Sequence, residues 1–170
     1  AELGSSVSSA GDVNGDGYPD FLVPQWNDIA FLQSQVTGSS PLWFNYADVA
    51  GIYVDETRDQ KVGWGAEFAD MDNDGDLDGV VAFGYIGTVH PNWGNPERQP
   101  DALYLNDGTG SFTDAAPEWG LDSVGMSRGF TLVDINGDGY LDVFKRDMNG
   151  KDVVFLSNCG EDAWLNIHLR

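Results

Sequence analysis

The sequence predicts an all-β protein built from three four-stranded antiparallel units, and three observations predict it. A nine-residue pattern, D-x-[DN]-x-D-G-x-x-D, occurs three times, at 12–20, 70–78 and 134–142. Behind each copy stands a second landmark, an acid followed by two small or apolar residues, an aromatic residue and Leu, at 28–32, 101–105 and 152–156. No window keeps an apolar i, i+3, i+4, i+7 stripe for three turns between helix caps, so helix content is expected to be low. The first residues of the nine-residue windows lie 58 and 64 positions apart (70 − 12 and 134 − 70), which marks an internal repeat.

Each unit divides into four strand-like segments. The first precedes the acidic window, at 3–11, 62–69 and 126–133, and the second follows it, at 21–23, 79–83 and 141–144. The third is the second landmark itself. It runs into a polar or Gly-bearing turn at 34–40, 106–110 or 157–160, and a short aromatic run then supplies the fourth, at 43–46, 111–113 and 164–169. The segments are rich in β-branched and aromatic residues and bounded by Gly, Asn, Asp and Pro, which is strand punctuation. Four antiparallel strands per unit of about 60 residues make the blade of a β-propeller, where radial repetition leaves only short sheet edges. A sandwich or solenoid of twelve strands is the alternative. The boundaries read as blade 1 over 1–51 with its loop at 12–20, and blade 2 over 52–120 with its loop at 70–78 and an inserted loop at 84–100. Blade 3 then covers 121–170 with its loop at 134–142.

Composition narrows the function. With 8 Lys and Arg against 28 Asp and Glu, a net charge of −20 argues against nucleic acid or an anionic membrane surface as a partner. Aromatic residues at 12% and hydrophobic residues at 41% are too abundant for a disordered acidic tail. One cysteine, Cys159, excludes an internal disulfide framework and a Cys-type metal cage, and nothing beside it suggests an activated nucleophile. No apolar run approaches the roughly 20 residues of a membrane helix. The N-terminus shows neither an initiating Met nor a basic-then-apolar leader, so the chain reads as processed or as a piece of something longer. No nucleophile elbow, phosphate loop or zinc-binding His pair is present, and catalysis is not expected.

The acidity is concentrated. Of the 22 Asp residues, 11 fall in the three windows, too many for turn formation, which needs at most two of the four fixed Asp-or-Asn positions. Asp-Gly and Asn-Gly pairs do form ordinary hairpin turns, and a single window would be ambiguous on that ground. Unneutralised carboxylates packed this closely repel one another. Ca²⁺ takes six to eight oxygens at about 2.3–2.6 Å, and a loop offering side-chain oxygens at positions 1, 3 and 5, a carbonyl at 7 and Asp at 9 wraps it in one turn. Gly17, Gly75 and Gly139 at position 6 allow the sharp bend. Mg²⁺ keeps its waters and suits such a cage less well. Position 12, the bidentate Glu of an EF-hand, is here Val23, Val81 or Lys145, and a strand follows instead of a helix.

These residues resemble a known family. The stretch 3–7 followed by 11–23 looks like an FG-GAP repeat, the blade of integrin α-type propellers. The second and third units, with 63–70 and 103–114, resemble the related VCBS-type repeats of secreted bacterial proteins. The end, 158–160 through 164–169, is similar to the start of an ASPIC/UnbV segment. Leu3-Gly4 is the only near match to the family's Phe-Gly, and Ser6 and Arg128 stand where the second unit has Trp64. The resemblance implies a calcium-stabilised propeller of about seven blades, secreted, periplasmic or at the cell surface, acting as a binding platform. Three blades cannot close a ring, so a fragment of a longer chain is expected, with further blades or a protein partner on the open faces.

Carried over residue by residue, the resemblance implies about three Ca²⁺ ions. The first would be held by Asp12, Asn14, Asp16, the Tyr18 carbonyl and Asp20, and the second by Asp70, Asp72, Asp74, the Asp76 carbonyl and Asp78. The third set is Asp134, Asn136, Asp138, the Tyr140 carbonyl and Asp142. The inserted loop carries Tyr85, His90, Trp93 and Arg98, the chemistry of a recognition surface, although such a loop also serves simply to cover a neighbouring blade. Trp26, Trp43, Trp64, Trp119 and Trp164 are expected in the propeller core. The alternative is a carbohydrate-binding propeller that stacks exposed aromatic residues on sugar rings.

Overall fold

The structure is a computed structural model that describes residues 7–54, 61–84, 99–148 and 150–157. Three antiparallel sheets make it up. The first runs in chain order through β1 (Ser8–Gly11), β2 (Asp20–Pro24), β3 (Ile29–Thr37) and β4 (Ser40–Asn45). A single helical turn, α1 (Ala47–Ala50), leads to the second sheet, again in chain order: β5 (Gly63–Ala69), β6 (Asp78–Phe83), β7 (Ala102–Asn106) and β8 (Phe112–Asp114). After α2 (Ala116–Trp119) the third sheet pairs β9 (Ser127–Val133), β10 (Asp142–Asp147) and β11 (Val153–Phe155). The first strands of neighbouring sheets stand side by side, β5 against β1 and β2, and β9 against β5 and β6. The protein is thus three consecutive blades of a partial propeller. The stretch 164–169, expected as a fourth strand of blade 3, lies outside the described residues, as does most of the inserted loop.

Strand alternation assigns each face of a blade to a different neighbour. In β6 and β7, Val81, Phe83, Ala102 and Tyr104 pack toward blade 1, in one core with Leu22, Ile29, Phe31 and Ile52. Val80 and Leu103 point the other way, into a second core with Ala116, Leu121 and Val143, flanked by Phe130 and Phe155. At β6 the middle blade therefore has no solvent face, and all six residues of that strand are buried. Aromatic rings reinforce the first seam, with Phe31 and Phe112 edge to face at 5.7 Å.

Ladder register corrects the sequence alignment of the units. Phe21 pairs with Leu32, Gly79 with Tyr104, and Val143 with Phe155. Because Phe21, Gly79 and Val143 follow the same position of their windows, the counterpart of Tyr104 and Phe155 is Leu32, not Phe31. The landmark in the first unit is displaced by one residue, which turns Phe31 to the opposite face. The true structural triplets are Leu22/Phe31, Val80/Leu103 and Phe144/Val154. The first two pairs are at most 4% exposed, each covered by the next blade, whereas Phe144 and Val154 are 38% and 47% exposed.

Three further departures have local causes. The expected turn over 34–40 is mostly strand: β3 continues to Thr37 and a two-residue Gly38-Ser39 turn, with Gly38 at φ 78°, joins it to β4. The single-turn helices escaped notice because four residues cannot show a period. Each ends on a left-handed glycine, Gly51 or Gly120, whose N–H bonds back to the first helical carbonyl. Of the tryptophans expected in the core, Trp26 and Trp43 are 39% and 42% exposed. The Trp43 indole donates to the Pro19 carbonyl at 2.9 Å, so it lies along the first acidic loop. Trp64 and Trp119 are partly buried, and Trp164 is outside the described residues.

Candidate metal centre

All three acidic windows form the hairpin between the first two strands of a blade, and they share one scaffold. The first Asp of each loop accepts the backbone N–H groups of positions 5 and 6. Asp12 takes Asp16 and Gly17 at 2.9 and 2.7 Å, Asp70 takes Asp74 and Gly75 at 3.1 Å each, and Asp134 takes Asp138 and Gly139 at 3.2 and 3.0 Å. Position 3 accepts the N–H of position 5, whether as Asn14, Asp72 or Asn136. Position 5 accepts the N–H of position 7 in each loop. This curl requires left-handed backbone at two places. Position 6 is Gly throughout, at φ 88°, 97° and 90°. Position 4 is Gly15, Asn73 or Gly137, at 72°, 61° and 78°, and it is filled by the residues that tolerate positive φ.

Asp20, Asp78 and Asp142 at position 9 are fully buried, and both oxygens of each are used. One accepts the N–H of position 2, from Val13, Met71 or Ile135, at 2.8 Å in every loop. The other accepts an N–H from the third-strand side of the same blade: Ser34 at 2.7 Å, Asn106 at 2.8 Å or Ser157 at 2.7 Å. These three residues were not found from the sequence. The signal was available, because each stands two residues beyond the correctly aligned Leu32, Tyr104 or Phe155, but the displaced landmark hid it.

The second loop brings its carboxylates closest. Ligand oxygens of Asp70, Asp72 and Asp78 lie within 4.8 Å of one another, the one such group among the described residues. Oxygens that share an ion at about 2.3–2.6 Å are separated by no more than about twice that length, so the group fits a hard divalent cation. The donor set is oxygen only, as such an ion prefers. Without a cation the loop works against itself. Burial, then the Asp74 and Asp70 charges, raise the Asp72 carboxyl. Burial pushes Asp78 up to about 6 against the bonds from Asn106 and Met71, with Asp72 and Asp74 adding to the rise. Asp74 is outside the closed group, its Oδ1 accepting the Asp76 N–H at 2.9 Å. In the first loop the Tyr18 carbonyl faces Ser34 Oγ at 3.5 Å. Tyr85, His90, Trp93 and Arg98 of the inserted loop lie outside the described residues.

At the other end of the inner strands, the Arg128 guanidinium stacks 4.2 Å over the Trp64 ring, and the Trp64 indole donates to the Gly84 carbonyl at 2.6 Å. The departure at Arg128 noted in the sequence is therefore a contact between blades 2 and 3. No helix among the described residues is long and apolar enough to cross a membrane.

Comparison with known proteins agrees with this geometry. Residues 3–40 match the FG-GAP repeat, and residues 91–144 match the FG-GAP-like repeat. A stretch of 61 residues is 39% identical to Cartilage acidic protein 1 of Xenopus tropicalis, covering 35% of this chain and 9% of that protein. The comparisons give no support to the carbohydrate alternative. The chain carries FG-GAP repeats, folded as antiparallel propeller blades.

Proposed function

We propose that this chain is a non-catalytic, calcium-binding propeller module that serves as a protein-interaction platform in an extracellular or cell-surface assembly. The observation that carries the reading is the triple recurrence of one preorganised oxygen-lined hairpin, closed in loop 2 into a carboxylate group of cation dimensions. Asp70, Asp72, Asp74, Asp78 and the Asp76 carbonyl would hold one ion, and the equivalent residues of 12–20 and 134–142 would hold two more. Bound Ca²⁺ would neutralise the clustered charge. The chain's own residues do the rest: position 9 ties the loop to the third-strand side of its blade, and position 1 fixes the bend. The blade boundaries at 51/52 and 120/121 follow the left-handed glycines that end α1 and α2. The extracellular setting and protein partner rest on the FG-GAP matches and on the likeness to Cartilage acidic protein 1.

The test is calorimetric titration of chelator-stripped protein with Ca²⁺, followed by thermal unfolding, with Asp70→Ala beside it. A stoichiometry near three and a rise in Tm with Ca²⁺ are expected, because a ligand that binds only the folded state stabilises it. Asp70→Ala should remove one site. No heat and no shift would leave the loops as acidic turns.

A further inference from the structure

The hydroxyls on the third-strand side, at the equivalent place in blades 1 and 3, have oxygen lone pairs that the blade's own hydrogen bonds leave unused. Ser34 is fully buried. Its Oγ lies 2.9 and 3.0 Å from the two oxygens of Asp16, 3.0 Å from Asp20 Oδ1 and 3.5 Å from the Tyr18 carbonyl. A hydroxyl has one proton to donate, so it satisfies one of these four acceptors and leaves the rest converging on it. In blade 3 the Ser157 Oγ is buried with no hydrogen-bond partner among the described residues, although its N–H is bound to Asp142. An orphaned buried hydroxyl calls for an explanation.

Blade 2 supplies the contrast. Its residue at this place is Asn106, whose amide is committed to backbone groups: Oδ1 accepts the Gly108 and Gly110 N–H groups at 3.2 and 3.0 Å, away from the loop, and Nδ2 donates to the Leu77 carbonyl of loop 2 at 3.4 Å. The three repeats vary together at two positions. Where position 3 is the neutral Asn14 or Asn136, the third-strand side offers a Ser hydroxyl, and where position 3 is Asp72 it offers none.

We propose that Ser34 and Ser157 are cation ligands of the first and third loops, each supplying an oxygen where loop 2 relies on an additional carboxylate. The inference rests on the cation-binding reading of the loops. It divides the sites into two chemical kinds: a five-Asp site in blade 2, and two mixed sites whose ion is shared with the third-strand side of the blade. In the loop 1 site the hydroxyl keeps its proton for Asp16 or Asp20 and offers a lone pair to the ion.

Ser157→Ala gives the cleanest test, because removing a hydroxyl that bonds to nothing should leave the chelator-treated protein's Tm unchanged. Calcium calorimetry on that variant should then show one of the three sites weakened about tenfold, the scale on which supporting groups act on metal affinity. For Ser34→Ala the probe is Tb³⁺ in the calcium sites, excited through Trp43 beside loop 1. Emission lifetimes in H₂O and D₂O should report about one more water on that ion, a readout that a purely structural serine would not move. An isotherm for Ser157→Ala that overlays the wild type, together with an unchanged Tb³⁺ hydration number for Ser34→Ala, would overturn the assignment while leaving the loops as cation sites. A wild type that takes up neither Ca²⁺ nor Tb³⁺ would overturn both.

Discussion

Replacing Lys145 with Met exposes what holds blades 2 and 3 together. Lys145 Nζ donates to Asp101 Oδ2 at 2.7 Å, with side-chain exposures of 5% and 8%, and it also bonds the Ser123 hydroxyl. Asp101 accepts the Ser127 hydroxyl at 2.9 Å and the Phe83 N–H at 2.8 Å, so only its cationic partner is lost in the variant. Breaking a buried pair by removing one member costs about 3–5 kcal/mol, because a buried charge is left uncompensated. For a chain of this size that is a fall of roughly 6–20 °C in Tm. The loss depends on pH in a defined direction. Burial already raises the Asp101 carboxyl, and Lys145 is the leading influence that lowers it. Removing Lys145 raises it further, and a carboxyl whose folded pKa exceeds its unfolded value loses stability as pH rises from the unfolded pKa through the folded one. Urea melts of wild type and Lys145→Met should therefore diverge between acid and neutral pH. The double variant Asp101→Asn/Lys145→Met should recover most of the deficit. A loss below about 1 kcal/mol at pH 7, or a deficit independent of pH, would refute the reasoning.

Other perturbations test the remaining parts of the fold. Gly51→Ala should lower stability well beyond Gly38→Ala in thermal melts: both are left-handed, but a Cβ at Gly51 would collide with the Phe112 carbonyl oxygen, whereas Gly38 has open space around it. Phe31→Ala, which removes a fully buried ring from the seam between blades 1 and 2, should cost about 3–5 kcal/mol in denaturant melts. In chelator, wild-type stability should fall more than that of Asp78→Asn as pH rises from about 4 through 6, since the Asp78 carboxyl is pushed up to about 6 and must lose a proton that the fold favours.

Much of this architecture was legible in the sequence because the repeat is punctuated at fixed places. The strands on either side of each acidic window fall where they were expected, since a buried Asp at position 9 and a Gly at position 6 leave little freedom in the hairpin. What stayed hidden has a common cause. The displacement of Phe31 by one residue is invisible to a pattern of apolar residues, because Ile29, Ala30, Phe31 and Leu32 make both faces of β3 apolar at that point. The same displacement concealed Ser34, Asn106 and Ser157, which lie 14, 28 and 15 residues beyond the Asp they serve (34 − 20, 106 − 78, 157 − 142). Position 4 of the loops was overlooked because Asn73 interrupts what is otherwise a glycine, although Asn is the next residue to tolerate that backbone. The exposure of Trp43 reflects its place on an outer strand, which a list of tryptophans does not carry.

The two seams, finally, are not interchangeable. Where blades 2 and 3 meet through Asp101 and Lys145, the corresponding seats between blades 1 and 2 hold Ile29 and Val81, two apolar residues of one core. Homologous blades folding on one chain run the hazard of docking in the wrong order, since every face is approximately complementary to every other. Here a misplaced blade 3 would set its lysine against Ile29, and a misplaced partner for blade 2 would strand Asp101 against valine. Either error buries a naked charge. The ion pair thus works as an address as well as a fastening: it penalises wrong neighbours more than it rewards the right one, and it lets a repetitive chain distinguish its own parts.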